Sequence, residues 1–289
     1  MRVAAYLLLV VSMFHMGYSA ADKVIYGPDN RYNMHDYPIA EFVTMASATA
    51  VLIEYFDLRP IDKNGYTLVY SPLRHQRGFC SDVPYLDQNS VGICTGFLIA
   101  PDILVTAGHC MERENSCQQN RWVFDYNQQF LVNHDVIPNS NVYSCTILDQ
   151  VLDKQTGLDY AVVRLSRSVE DRQPLKIRPS GQLRSGIPLV VIGHPSGLPS
   201  KISDGSHVRS SDQKVYFTAN MDTFGGNSGS PVINRNSGEV EGILVRGEED
   251  YDYDRQRGCY INKLCEDDGC SGESATRIRM IKDLDKYLY

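Results

Sequence analysis

The run Gly225-Gly226-Asn227-Ser228-Gly229-Ser230-Pro231 constrains the chain more than any other stretch. Glycine adopts left-handed backbone without steric cost, so three glycines around one serine predict a tight turn and exclude a helix or strand interior. Small neighbours leave the Ser228 hydroxyl accessible and let successive backbone N–H groups converge on one point, as an oxyanion site requires. Gly, Asn, Ser and Pro are equally the residues of an ordinary hairpin turn, so the run alone does not choose between turn and nucleophile. Two other segments break the tie. Thr106-Ala107-Gly108-His109-Cys110 follows a largely apolar run, 96–105, and sets a histidine at a strand end. Leu158-Asp159-Tyr160-Ala161-Val162-Val163-Arg164-Leu165 opens an alternating strand with an acid. Histidine, aspartate, serine is one of the three chain orders in which an acid–base–nucleophile triad occurs. Asp149 and Asp153 lie nearby but lack the Ala-Val-Val strand that follows Asp159.

The rest of the chain reads as all-β. Short alternating segments at 93–99, 103–106, 122–126, 143–151 and 161–165 are followed by a second set at 189–192, 214–219, 230–234 and 240–245, with turn residues between them. Residues 166–186, which contain Pro and Arg, form the natural connection between the halves. Residues 24–88 hold further β-rich runs and exceed what the two sets need, so part of them reads as a pro-segment or an added loop. At the end, Ile278, Ile281, Leu284 and Leu288 fall at helical spacing and predict a C-terminal helix. With 289 residues and 43% hydrophobic content, the chain can bury one large or two small β cores. Its net charge of −7 argues against nucleic acid or an anionic membrane as the main partner.

Met1-Arg2, an apolar run over 3–14 and the small residues Ser19-Ala20-Ala21 read as a secretory signal peptide covering 1–21; a retained membrane anchor is the alternative. Lys23-Val24 reads either as a processing junction or as part of an extended mature end. The eight cysteines fit an oxidising compartment. Cys117 and Cys145 flank the strands over 122–132, which suggests a bridge between them. No paired CxxC spacing points to zinc. Asp250, Asp252 and Asp254 begin like a calcium loop, but Arg255 and Ile261 occupy the required glycine and glutamate positions, so the acidic run 248–254 reads as a solvated loop.

Through CTGFLIAPDILVTAGHC (94–110), LDYAVVRL (158–165) and GGNSGSPV (225–232), the sequence resembles the chymotrypsin-clan serine peptidases. Asn227, Ser230-Pro231, VIYGPDNR (24–31), WVFDY (122–126) and VIGHPSGLPSKI (191–202) resemble the V8-like glutamyl endopeptidase branch. The resemblance implies two six-stranded antiparallel β-barrels of chymotrypsin-like type, the first over about 24–165 and the second, with the C-terminal helix, over about 187–289. It implies that Cys94 and Cys110 are bridged beside the histidine, leaving six cysteines whose pairing stays open. It also implies that Asp222 and Thr223, with Leu244 and Arg246 on a neighbouring strand, line the substrate pocket. The signals conflict there. Asp222 stands where trypsin-like enzymes carry an acid for Arg or Lys, Thr223 where V8-like enzymes carry a threonine, and Leu244 where the latter carry histidine; a structural hydrogen-bonding role for Asp222 is the alternative, and Arg246 reads either as a pocket charge or as a solvated residue. In V8-like enzymes the amino terminus helps recognise an acidic side chain, a part Val24 could take here. His194 reads as a loop residue bonded to backbone.

A serine hydroxyl needs a base to take its proton as it attacks. His109 is placed for that role, Asp159 to hold the imidazole, and the N–H groups of Gly226 and Ser228 to bind the oxyanion. The expectation is a secreted serine endopeptidase, extracellular or periplasmic in a bacterium. It would act as a monomer on protein or peptide through an acyl-enzyme, with no cofactor, no metal and no membrane attachment after leader removal. The rival is an inert secreted protein that keeps the fold as a binding module. An esterase of α/β-hydrolase type is disfavoured, since Ser230 breaks the Gly-x-Ser-x-Gly pattern and no βα alternation occurs.

Overall fold

The architecture comes from a computed structural model that describes residues 24–288 apart from 62 and 135. The expected signal peptide and Lys23 lie outside the described residues.

Two antiparallel sheets dominate. The first has seven strands in the order Val142–Tyr143, Asn120–Phe124, Thr49–Glu54, Cys94–Ala100, Ile103–Thr106, Leu158–Leu165, Cys145–Asp153. The second closes on itself: Pro188–Gly193, Pro231–Asn234, Val240–Arg246, Glu273–Arg277, Tyr216–Ala219 and Lys201–Ser210 form a six-stranded ring, because Lys201–Ser210 also pairs with Pro188–Gly193. Arg31–Asn33 adds to the outside of that ring on Lys201–Ser203.

The expectation of two closed barrels is therefore corrected: the first half is a curled sheet, open at one seam. Its edge strands, Val142–Tyr143 and Cys145–Asp153, are separated in the chain by Ser144 alone, so the sheet bends until its edges adjoin. Among the described residues no ladder joins them. The first edge is only two residues long, and the Arg167 guanidinium donates to the carbonyls of Asn139, Ser140 and Val142 beside it.

Strand alternation decides what each half buries, since successive side chains point to opposite faces. Leu189 and Val191 point into the closed barrel with Phe217, Val232 and Leu244. Val190 and Ile192, between them, join Leu98, Val105, Val163 and Ile233 in a core shared with the first sheet. Two strands of the closed barrel were not legible in the sequence, Lys201–Ser210 and Glu273–Arg277. Both are rich in polar residues, and the bulge between Val208 and Ser210 breaks the alternation that would have revealed the first.

Residues from 24 onward are built into both halves. Ile25–Tyr26 runs parallel to Leu264–Cys265, and Thr49–Glu54 lies inside the first sheet. The stretch beyond it forms small additions, including a three-stranded sheet of Leu58–Ile61, Gly65–Leu68 and Ile137–Pro138.

The C-terminal helix is also corrected. Ile278–Met280 and Leu284–Tyr287 are separate 3-10 turns, divided by Asp283 in left-handed backbone (φ 52°). Ile278, Ile281 and Leu284 are buried in the shared core all the same. Their spacing of three suits a 3-10 turn, which has three residues per turn, and so carried the same sequence signal.

All eight cysteines are paired: Cys80–Cys259, Cys94–Cys110, Cys117–Cys145 and Cys265–Cys270. Two of these pairs were expected from the sequence. Among the described residues no helix is long and apolar enough to cross a membrane.

The packing makes a test available at Gly96, in the strand Cys94–Ala100. A Cβ there would fall 2.8 Å from Trp122 Cζ3 and closer still to Leu104, both fully buried. Gly96→Ala should lower unfolding free energy in denaturant titration by about 1–3 kcal/mol, the usual cost of overpacking a tight core. A change below about 0.5 kcal/mol would mean the indole does not seat on this glycine.

Candidate active site

His109 lies in the 3-10 turn Gly108–Met111 that ends the strand Ile103–Thr106. The turn can pack there because residue 108 is glycine: a Cβ would collide with the carbonyl oxygens of Val151 and Tyr160. Asp159 enters from the start of Leu158–Leu165, and both its oxygens serve the histidine. Oδ2 is 2.8 Å from His109 Nδ1, and Oδ1 accepts the His109 backbone N–H at 3.1 Å. An ionised carboxylate only accepts, so the neutral imidazole carries its proton on Nδ1 and leaves the Nε2 lone pair free. Asp159 is buried, whereas the histidine side chain stays 28% exposed toward the cleft. The neighbouring acids are engaged otherwise: Asp149 accepts the Tyr160 hydroxyl, and Asp153 caps its own turn through Gln155 and Thr156.

The serine turn comes from the other half of the molecule and docks on the same strand ends. The Ser228 carbonyl accepts the Thr95 N–H at 2.8 Å, and Cys110 Sγ lies 3.7 Å from it. Gly229 (φ 88°) must be glycine, since a Cβ would strike the Thr95 carbonyl and Thr106 Oγ1. The Ser228 and His109 segments thus meet at the seam between the halves. Among the described residues the Ser228 hydroxyl makes no hydrogen bond to His109; such bonds commonly tighten only when substrate docks.

The backbone of the turn is almost wholly committed. The Phe224 carbonyl accepts Asn227 N–H, Gly225 N–H goes to Asp250, and the Gly225 carbonyl accepts Ser196 N–H. The Gly226 carbonyl accepts Thr95 Oγ1, the Asn227 carbonyl accepts Ser230 N–H, and Gly229 N–H reaches the Leu244 carbonyl. Among the described residues, only the amides of Gly226 and Ser228 in this stretch donate to no protein acceptor. Two N–H groups without an acceptor on one glycine turn are what a developing oxyanion could use.

The four pocket residues expected from the sequence are all engaged. Asp222 is buried and accepts the N–H groups of Tyr26 at 2.7 Å and Asn30 at 2.9 Å. Burial raises its carboxyl to about 7. Thr223 donates its hydroxyl to Glu273 at 3.0 Å, and its amide bonds the Val24 carbonyl at 3.2 Å. Leu244 packs inside the closed barrel, and Arg246 donates to the Gly157 carbonyl while stacking over Tyr216. His194 is buried with Nδ1 on the Leu198 carbonyl, and burial lowers its pKa to about 3, so it stays neutral.

Sequence reasoning missed Glu273, Asp250 and Tyr251. Glu273 is fully buried against Thr223, in a strand whose polar composition concealed it. The acidic run is not a solvated loop. Hydrogen bonding from Ser271, through side chain and backbone N–H, and then from Lys263 lowers the Glu248 carboxyl to about 2. Asp250 reaches the serine turn, and Tyr251 bonds the Ser196 hydroxyl. Alternation of Asp with Tyr in Tyr251-Asp252-Tyr253-Asp254 was the available sign of a strand. The histidine–cysteine cluster Cys94, His109, Cys110 offers no thiolate to a metal, because its two sulfurs are joined.

The family described as "Trypsin-like peptidase domain" matches residues 94–243, just over half of the chain, and the chain belongs to that family. Among solved structures, the serine endoprotease from Yersinia pestis is similar with a TM-score of 0.50 and 12% identity, over 88% of this chain and 68% of that one. Rv3671c from M. tuberculosis H37Rv, a serine-to-alanine mutant in an inactive form, gives a TM-score of 0.49 and 14% identity, over 91% and 96%. No match was found among curated proteins.

Asp222 gives a pH test. Its folded pKa stands above the ordinary 3.8, so the folded state holds this proton more tightly. The stability it contributes is full below about pH 4 and is lost as pH rises through about 7. Between pH 5 and 8 the stability of the wild type relative to Asp222→Asn should fall by on the order of 2 kcal/mol. Parallel melting curves across that range would remove Asp222 as the source.

Proposed function

We propose that this member of the trypsin-like peptidase family is a secreted serine endopeptidase working through His109, Asp159 and Ser228. The observation that carries the reading is the pair of uncommitted amides, Gly226 and Ser228, in a turn docked against the strand that delivers His109 with Asp159 bonded behind it. In the reaction, His109 Nε2 takes the Ser228 proton as Oγ bonds to the peptide carbonyl carbon. The carbonyl oxygen becomes an alkoxide held by the two amides. The C–N bond then breaks as the imidazolium returns its proton to the leaving amine, giving an acyl-enzyme. Water, deprotonated by the same nitrogen, releases the acid and restores Ser228. Asp159 holds the ring and stabilises its charged form throughout.

Secretion is supported by the apolar leader and by four disulfides, which persist in oxidising compartments. The substrate is protein or peptide, and the enzyme is proposed to act as a monomer, without cofactor. Assignment to the V8-like branch is supported by its sequence motifs and by the bond from Thr223 N–H to the Val24 carbonyl. Leu244 in place of a histidine weighs against a glutamyl preference, and parallel hydrolysis of peptides differing only in Arg, Glu or Phe before the scissile bond decides it. The rival reading, an inert binding module, draws on the missing hydrogen bond between Ser228 and His109.

A fluorophosphonate probe separates the two. The processed wild type should be labelled at Ser228 and Ser228→Ala should not. Asp159→Asn should keep the fold and lose roughly 10⁴-fold in kcat through the wrong imidazole tautomer. A folded, processed wild type that takes up no label would establish the binder instead.

A further inference from the structure

Resting on the peptidase reading, we propose that Asp250, with the hairpin that follows it, is a positioning residue for the oxyanion site. Adjacent glycines leave the Gly225–Gly226 peptide little steric reason to prefer one face, since neither residue has a Cβ. Turned one way, the Gly226 N–H faces the reacting centre; turned over, the Gly225 carbonyl would face it and repel the oxyanion. The turn by itself does not settle this.

Two groups outside the turn do. The Gly225 N–H donates to both oxygens of Asp250, at 3.2 and 3.0 Å. The Gly225 carbonyl accepts the Ser196 N–H at 2.5 Å. In a trans peptide the C=O and the following N–H point in opposite directions, so pinning the Gly225 carbonyl on Ser196 aims the Gly226 N–H the other way. Ser196 itself lies in left-handed backbone (φ 52°).

The two anchors are tied together. Tyr251, next to Asp250, meets the Ser196 hydroxyl at 2.5 Å and packs on Phe79 and on Phe224, the residue preceding Gly225. The Asp250 carbonyl accepts the Lys263 N–H, and the hairpin of Tyr251–Asp254 with Cys259–Asn262 is stapled to the first half of the chain by Cys80–Cys259. Position 225 also suits the contact sterically: a Cβ there would sit 3.2 Å from Asp250 Oδ2. A carboxylate on a backbone N–H is a charge-assisted bond, stronger than a neutral one. The acidic run thus acts on the Gly226 amide through Gly225, without touching substrate.

The test compares wild type, Asp250→Ala and Asp250→Asn in hydrolysis of one peptide substrate. It also compares inhibition by a peptidyl aldehyde, whose adduct with serine carries an oxyanion, with inhibition by the matching peptidyl alcohol, which forms none. Asp250→Ala should lose about tenfold or more in kcat with KM changed less than about threefold, since removing an oxyanion donor outright costs about 10²–10³. Aldehyde affinity should fall with kcat and alcohol affinity should hold. Asp250→Asn, whose side-chain oxygen still accepts the Gly225 N–H, should recover most of the loss. An Asp250→Ala enzyme with unchanged kcat, or one losing KM and alcohol affinity together, overturns the assignment, as does an asparagine variant no better than alanine. If Asp250→Ala does not fold, Tyr251→Phe removes only the hydroxyl on Ser196 and should lower kcat and aldehyde affinity together by about threefold; no change overturns the proposal. Turnover and fluorophosphonate labelling of the wild type are measured first, so failure of the peptidase reading shows there and failure of the positioning role only in the variants.

Discussion

The hydrogen bond from the Thr95 amide to the Ser228 carbonyl crosses the seam between the two β halves, and the rest of the site depends on that crossing. Thr95 stands at the start of a strand in the open sheet, and Ser228 sits on a turn of the closed barrel. Gly229 lets the turn approach until only a hydrogen atom fits between it and the Thr95 carbonyl and Thr106 hydroxyl. Thr106 ends the strand that continues into His109, and Cys110 is bridged back to Cys94, the residue before Thr95. Ser228 and His109 are therefore referred to one short length of backbone. The apolar core shared by the two sheets lies beneath and resists their relative displacement.

A second layer supports the turn from the side of the amino-terminal segment. Asp222 holds the amides of Tyr26 and Asn30, the Thr223 amide holds the Val24 carbonyl, and the Arg31 guanidinium lies 4.2 Å over the Phe224 ring. Three consecutive residues before the glycines are thus fastened to residues 24–31. Arg31 is itself buried and paired with Asp29, which offsets the cost of taking its charge out of water. Lys201, also buried, donates to Gln88 and to the Pro199 carbonyl, and burial lowers its pKa. Polar groups concentrate where segments distant in sequence converge, and each must find a partner once water is excluded.

How far the sequence could be read depended on how local the signal was. Motifs whose meaning lies in adjacent residues were legible: Gly108 before His109, Asp159 opening an alternating strand, the glycines around Ser228. Apolar alternation gave most strands within a few residues, and the cysteines flanking 122–132 pointed to the Cys117–Cys145 bridge. Legibility failed where the decisive partner was remote. Cys80 and Cys259 are 179 residues apart, with nothing in either neighbourhood to join them. The three-residue period of Ile278, Ile281 and Leu284 served a 3-10 path as well as a helix. Asp222 was open to a pocket role or a structural one, and its hydrogen bonds to residues 26 and 30 could not be seen from its own surroundings.

The sequence by itself determined that the chain is built of β-strands, that its serine sits on a glycine turn, and which histidine and aspartate stand at strand ends, because steric freedom and side-chain period act over a few bonds. Tertiary structure alone decided that one half closes while the other stays open, that Asp250 and Ser196 grip the serine turn, and that Glu273 is buried against Thr223. The contacts of Asp250, Ser196 and Glu273 with the serine turn and Thr223 span 25 to 50 positions of sequence, and their geometry exists only after the sheets have curled and met.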